Sequence, residues 1–362
     1  MKTWDTNLNK LLHSLRGYFE VEELDLPESP VYVAVAIPTK DGLTGLKPRL
    51  PAGRGLSASQ AMLSAAAESV ELLASLAQNF DRSRNTFKVE NGVSHILATN
   101  ITGGANAYFP AQHIYLDWAT TANEPVIFDA DSNGCAAGAT WPDSLESALL
   151  ECIERDAMAI WWYGRQRRHH LPISYIDRLA PRLSWWLGQR KRHSLLIDLM
   201  SELGVPVVAS VSFDDDGRHV AIGSAAALDS GRAAILAITE MIQMEVSMSM
   251  GPPNDELRNW FTRASVKNMR QFQPCVSPAL RQTKRETQPP NIQKQMEKSG
   301  HQVFSIDLTR KNDLLFTCRV IAPTLSPLHG VPKRDRIIAQ CLAQPQFDGV
   351  KSTEEMEVLQ PY

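Results

Sequence analysis

Hydrophobic positions along the chain recur with two periods, and the places where one gives way to the other mark its elements. PVYVAVAIP, residues 30–38, is rich in β-branched residues and bounded by prolines, which predicts a strand. The loop PRLPAGRG then delivers a long helix over about residues 57–77, whose start is marked by Ser57 and Gln60 at capping-box spacing. A second helix is predicted from about Pro142 to Tyr163, stopping at Gly164. A third follows Asp229, a good N-cap residue, and runs through AAILAITEMIQMEVSM to Gly251. Between the second and third, HSLLIDLMSELGVPVVASVSFDDDGRHVAIGSAAA predicts a helix, a stop at Gly204, a strand, an Asp-Gly turn and a second strand.

Residues 263–300 are rich in Gln, Lys, Arg and Pro with little periodicity, which predicts a mobile surface insertion. Order returns in HQVFSIDLTRKNDLLFTCRVIAPTL, two apolar runs that predict core strands. The opening MKTWDTNLNKLLHSLRGYFE has the pattern of an amphipathic helix and lacks the uninterrupted apolar core of a signal peptide. No segment approaches the ~18 consecutive apolar residues of a membrane span. There is no internal repeat of fixed period.

At 362 residues, 43% apolar and 21% charged, the chain has the composition of a globular protein of one large or two ordinary domains. A formal net charge of −3 provides no global basic field, so nucleic acid is not an expected partner. The cysteines, Cys135, Cys152, Cys275, Cys318 and Cys341, are scattered and without CxxC spacing, which predicts reduced thiols in a cytoplasm and no zinc site.

Three of the predicted helices carry a polar stripe in an otherwise apolar sequence. Ser64, Glu68 and Glu71 fall at i, i+4 and i+7; Glu151, Glu154 and Arg155 at i, i+3 and i+4; Glu240 and Gln243 at i and i+3. A solvated face would intersperse Lys or Arg among these carboxylates, yet residues 55–81 contain no basic residue. The face of Glu151 and Arg155 continues into Met158 and Trp162, which is not how a solvent stripe ends. Carboxylates gathered away from water need a cation between them. Mg²⁺ suits an all-oxygen set, keeps some of its waters, and bridges carboxylates to nucleotide phosphates. Arg155 adds a planar fork suited to phosphate. There is no Walker motif and no kinase signature. PAGRGLS places Gly53, Arg54 and Gly55 before a capped helix, an arrangement that serves equally as an anion site or as a plain turn.

In order and spacing, GRGLSASQAMLSAAAESVE, DSNGCAAGATWPDSLESALLECIERDAMAIWW, VPVVASVSF, GSAAALDSGRAAILAITEMIQ and VFSIDLTRKNDLLFTCRVIAPTLSPLHG resemble the YcaO family from about Gly53 to Gly330. The resemblance implies an α+β fold in which mixed or antiparallel sheets pack with long helices that converge on a Mg-ATP site. By it, Ser64, Glu68, Glu71, Glu151, Glu154, Glu240 and Gln243 hold Mg²⁺ and nucleotide, the five glutamates as metal ligands. Arg155 holds phosphate, Arg54 joins the nucleotide site, and Glu151, Glu154 and Arg155 are the expected catalytic set. The implied divisions are a lead-in over 1–52, a catalytic domain over 53–345 and a tail over 346–362.

Members of the family use ATP to activate a backbone amide in ribosomally made peptides. The resemblance therefore implies cyclodehydration of Cys, Ser or Thr to an azoline in a precursor peptide. The alternatives are thioamide formation, assistance in ribosomal-protein modification, or a catalytically silent nucleotide-binding scaffold. Leu72 departs from the Arg that often follows the second Glu, and MEVLQPY lacks the Pro-x-Pro-x-Pro ending of azoline formers, which gives thioamide or unusual cyclisation more weight. The residues before Gly53 leave no room for a fused peptide-binding domain, so a separate leader-binding or activating protein is expected. A flavin-dependent oxidase and a second copy of the chain are further candidate partners. The basic clusters GRQRRHH and QRKRH are expected to be solvated loops, ahead of a grip on an acidic leader peptide. Cys135 is expected to pack rather than react.

Overall fold

The N-terminal amphipathic stretch folds as helix α1 (Lys2–Leu15), which buries Leu11 and Leu15. It leads into β1 (Phe19–Glu23), β2 (Tyr32–Pro38), β3 (Ala52–Gly55) and the first long helix, α2 (Ala58–Ser75). Strands β4 (Phe87–Glu90), β5 (Val93–Asn100) and β6 (Ala107–Pro110) follow, then the short α3 (Trp118–Ala122), β7 (Cys135–Gly138) and the second long helix, α4 (Trp141–Tyr163). Next come β8 (His169–Leu171), α5 (Pro181–Gln189), β9 (His193–Asp198), β10 (Val207–Phe213), β11 (Ala221–Ala226) and the third long helix, α6 (Ser230–Ser249). The chain continues through α7 (Asp255–Arg263), α8 (Ile292–Lys298), β12 (Phe304–Asp307), β13 (Phe316–Ile321) and α9 (Arg334–Ala343). This computed structural model describes residues 2–39, 50–78, 85–128, 131–251, 255–275 and 291–356.

Local chemistry explains the helix starts. Ser57 accepts a hydrogen bond from the Gln60 amide, and the Gln60 side chain accepts one from the Leu56 amide at 2.9 Å, a reciprocal cap that starts α2 at Ala58. Thr140 and Asp143 cap α4 reciprocally at 2.7–3.3 Å, which starts that helix at Trp141. Asp229 caps α6 through the Arg232 amide at 2.9 Å.

Contacts divide the chain into two units. The first comprises Met1–Pro27, Tyr32–Cys152 and Gln293–Thr324. It holds a three-stranded sheet in the order β1-β2-β3 and a six-stranded sheet in the order β4-β5-β12-β13-β7, with β6 on β5. Every strand pair in both is antiparallel. β3 packs against α2 with almost no separation, because Gly53 has no Cβ: one placed there would lie 2.1 Å from the Ala65 nitrogen and 2.2 Å from the Ala61 oxygen. The apolar face of α2 fills the space beyond, with Ala66, Val70 and Leu72 packed against Leu11, Leu15 and Phe19. Leu72 therefore belongs to the core of this unit.

The second unit comprises Glu28–Val31, Ile153–Ile292 and Leu325–Tyr362. Its antiparallel sheet runs β11-β10-β9-β8, with α6 packed on β11 and β10. Gly223 repeats the device of Gly53, since a Cβ there would lie 2.2 Å from the Ala237 oxygen and 2.3 Å from the Met241 nitrogen. The end of α4 is buried in an aromatic cluster in which Trp162 lies 5.5 Å from Trp161, 5.5 Å from Trp260 and 5.6 Å from Phe272.

Three expectations are corrected here. HSLLID is the strand β9 and not a helix, because Leu195 and Leu196 pair with Val211 and Ser210 of β10 and the sheet buries Leu196 and Ile197 alike. Residues 264–275 are packed rather than a mobile insertion: Phe272 is buried and the Gln271 carbonyl accepts from the Trp161 indole at 3.2 Å. Residues 276–290 lie outside the described residues. The basic clusters are paired and structural, not solvated loops. Arg167 meets Asp348 at 2.7 Å, Arg190 meets Glu245 at 2.8 Å, Arg192 meets Asp214 at 2.5 Å, and Arg168 is buried over the Phe347 ring.

Within the second unit Asp156, almost fully buried, accepts two bonds from Arg336 of α9 at 2.6 Å and one from the Ser326 amide at 2.7 Å. Arg336→Ala leaves that carboxylate without its cation, so it is expected to lower the denaturant-measured stability by ~3 kcal/mol. A loss below ~0.5 kcal/mol would show that the pair does not anchor α9.

Candidate functional site

The predicted site residues fall into two sets, one in each unit. In the first unit, α2 carries Ser64, Glu68 and Glu71, and Glu151 lies on α4. Arg54 is part of β3, paired with Val33. Glu71 accepts a hydrogen bond from the Ala137 amide of β7 at 2.7 Å, and Glu151 accepts one from the Gly134 amide just before that strand at 3.2 Å. The approach to β7 is shaped for this: Asp131 accepts from the Asn133 amide in a tight turn, while Arg319 holds the Asp131 carboxylate at 3.1 Å and its carbonyl at 2.8 Å.

Burial pushes the Glu71 carboxyl well above its ordinary range; the Ala137 amide opposes this, and the nearby charges of Glu68 and Glu151 add to it. Glu68 itself is exposed, and Ser64 is half-buried. Cys135, inside the same cluster, is pushed well up by burial and then by Glu71 and Glu151, and burial raises Cys152 to about 12. Burial thus disfavours the thiolate at both positions, which agrees with a packing role for Cys135.

In the second unit lie Glu154 and Arg155 of α4 and Glu240 and Gln243 of α6, and β11 joins Glu154 to Glu240. The Ser224 hydroxyl donates to Glu154 Oε1 at 2.6 Å, and the Ala226 amide donates to Glu154 Oε2 at 3.3 Å. The Ser224 amide donates to Glu240 Oε2 at 2.8 Å. Arg155 Nη1 lies 3.8 Å from Glu154 Oε1, with 24% and 13% of the two side chains exposed, so both reach solvent from a largely buried helix. Gln243 is half-buried one turn beyond Glu240. The Gly134, Ala137 and Ala226 amides and Ser224 were not among the predicted residues. Backbone donors leave no trace in residue type, but a serine inside the apolar run AIGSAA is a readable sign that something polar faces that strand.

Among the described residues no three His, Cys, Asp or Glu side chains are gathered tightly enough to hold a metal ion by themselves. The donors are nonetheless all oxygen, and in the first unit burial, with a smaller contribution from the charges of Glu68 and Glu151, raises Glu71, a cost that a cation would relieve. Such a set fits a cation that takes only part of its coordination from protein and the rest from water and phosphate, as Mg²⁺ does.

A model of the YcaO family, described as YcaO cyclodehydratase, ATP- and Mg²⁺-binding, matches residues 74–326, well over half of the chain. The chain belongs to the YcaO family. The matched stretch contains Glu151, Glu154, Arg155, Glu240 and Gln243 and begins just beyond Ser64, Glu68 and Glu71. An uncharacterized protein of Methanothermobacter thermautotrophicus is 25% identical over 351 residues, covering 87% of this chain and 90% of its own. YcaO from Methanopyrus kandleri, bound with AMPPCP and Mg²⁺, superimposes with a TM-score of 0.70 at 20% identity over 89% of this chain and 91% of its own. A heterocyclase in complex with substrate and cofactor gives a TM-score of 0.80 at 18% identity and covers 98% of this chain, which spans 57% of that protein's length. These likenesses establish the YcaO fold, α+β with antiparallel sheets, and ATP and Mg²⁺ are the cofactors of the family. Among the described residues no helix is long and apolar enough to cross a membrane.

The raised carboxyl of Glu71 makes a signed prediction for this YcaO protein. Its folded-state pKa lies above the unfolded value, so ionisation destabilises the fold at pH above the ordinary Glu range and has no such effect below it. Glu71→Gln keeps an acceptor for the Ala137 amide and removes the charge. In thermal melts without nucleotide or Mg²⁺, the variant is expected to melt above wild type at about pH 8, with the gap closing as the pH falls to about 5. A wild type that melts higher throughout would contradict the burial argument.

Proposed function

We propose that this YcaO protein uses ATP and Mg²⁺ to activate a backbone amide in a ribosomally made precursor peptide, with cyclodehydration of a Cys, Ser or Thr to an azoline as the outcome. The observation that carries the reading is the pairing of Glu154 and Glu240 through Ser224, inside the stretch that the family match covers. Bound Mg²⁺ would neutralise charge on the nucleotide phosphates and align them.

In this reading each unit supplies carboxylates for Mg²⁺, Glu68, Glu71 and Glu151 in the first and Glu154 and Glu240 in the second. Ser64, Arg54 and Gln243 supply hydrogen bonds to the nucleotide. Arg155, partly exposed and adjacent to Glu154, presents its guanidinium to phosphate. The substrate side chain gives up its thiol or hydroxyl proton to solvent as it adds to the preceding carbonyl carbon, and the resulting oxyanion takes the terminal phosphoryl group of ATP with release of ADP. Expulsion of phosphate, with loss of the amide proton, then forms the C=N bond of the ring. The oxygen lost by the peptide leaves in phosphate. The protein contributes position and charge, because phosphoryl transfer asks little covalent chemistry of it. A separate protein that holds the leader peptide belongs to the same proposal, since binding energy remote from the reacting amide is what positions it.

The test is a mass measurement. The purified chain, Mg-ATP, a peptide encoded beside its gene and any partner encoded there are incubated together. A peptide loss of ~18 Da with ADP formation is the expected result, whereas a gain of ~16 Da in the presence of sulfide would replace azoline by thioamide chemistry. ATP-analogue binding without any peptide change would make the protein a scaffold. Glu154→Gln and Glu240→Gln are each expected to weaken Mg²⁺-dependent analogue binding by at least ~10-fold, and unchanged binding would overturn the assignment.

A further inference from the structure

β11 is an edge strand: β10 pairs with one side of it and no strand pairs with the other among the described residues. An edge leaves alternate main-chain amides without ladder partners. Here those amides are at Ile222, Ser224 and Ala226, and each meets a side chain. The Ile222 amide donates to Met244 Sδ at 3.1 Å, the Ser224 amide to Glu240 Oε2 at 2.8 Å, and the Ala226 amide to Glu154 Oε2 at 3.3 Å. The open edge of the sheet is thus a row of donors that receives carboxylates from two different helices.

Ser224 occupies the centre of this row and adds a second donor. It is 4% exposed in a strand that is buried along its whole length. A buried hydroxyl is unfavourable unless it is hydrogen-bonded, and this one gives its proton to Glu154 Oε1 at 2.6 Å, a short bond of the kind charged acceptors make. Through its amide and its hydroxyl one residue addresses both Glu240 and Glu154. Ala at this position would keep the first bond and lose the second. The adjacent Gly223 makes the arrangement possible, because only without a Cβ there does α6 come close enough for Glu240 to reach the strand.

We infer that Ser224 is a positioning residue that orients Glu154, alongside Glu240, for the Mg²⁺-bound phosphates of the nucleotide. The inference rests on the proposal that these carboxylates hold the cation. Ser224 touches neither nucleotide nor metal in this role. Its hydroxyl selects one orientation of the Glu154 carboxylate, and partners that orient a ligating group in this way are worth about 10–100-fold in metal affinity.

The test measures the Mg²⁺ concentration that half-saturates binding of the non-hydrolysable analogue AMPPCP to the full chain, together with the melting temperature of the nucleotide-free protein. Ser224→Ala is expected to raise the half-saturating Mg²⁺ concentration by at least ~10-fold. Ser224→Thr, which keeps both the hydroxyl and the amide, is expected to stay within about 3-fold of wild type provided its melting temperature shows that the strand still holds it. Glu154→Gln is the control. If it loses Mg²⁺-dependent binding while Ser224→Ala binds as wild type does, the positioning role is wrong and the functional reading survives. If Ser224→Ala and a well-folded Ser224→Thr are equally impaired, packing and not the hydroxyl is responsible, and the inference falls. Should Glu154→Gln bind normally, the functional reading fails and the role of Ser224 fails with it.

Discussion

The closeness with which the site helices sit on their strands is the constraint from which the rest follows. α2 rests on β3 at Gly53 and α6 rests on β11 at Gly223, each at a distance that even a single Cβ would forbid. Backbone against backbone, α6 brings the carboxylate of Glu240 within reach of a main-chain donor of β11. Glu240 reaches the Ser224 amide because Gly223 lets α6 in.

Fixing carboxylates by amides has an electrostatic consequence. An amide bond to a carboxylate favours its charged form, while burial and like charges disfavour it. At Glu71 the second effect is the stronger, and the carboxyl is raised despite the Ala137 amide. The first unit therefore holds its negative charge under strain that a cation would remove. Burial first, and the nearby carboxylates after it, also raise the neighbouring thiols of Cys135 and Cys152, which disfavours their thiolate forms.

Which parts were legible in the sequence follows from the range of the forces involved. The three long helices were read to within a few residues because their caps are local: Ser57 with Gln60, and Asp229, each act within one turn. The stripes of glutamate were legible for the same reason, since period is a local property. HSLLID misled because a short apolar run reads alike as helix or strand, and only its pairing with β10, a distant segment, decides between them. The packing of residues 264–275 was hidden in a polar composition, its decisive contacts being a single buried Phe272 and a carbonyl under Trp161. The role of Ser224 depends on strand order, on which side of β11 is open, and no pattern within one segment carries that information.

The same tethering bears on why no three acidic or metal-ligating side chains are clustered among the described residues. Glu154 and Glu240 are each held by a main-chain amide of their own, at Ala226 and Ser224. A fully protein-built cage would bind a bare cation and hold it. Separated, oriented carboxylates instead leave coordination positions that only water and phosphate oxygens fill, so cation and nucleotide bind best together. For the proposed Mg-ATP chemistry, oriented carboxylates such as Glu154 and Glu240 would leave positions around the cation for phosphate and water oxygens.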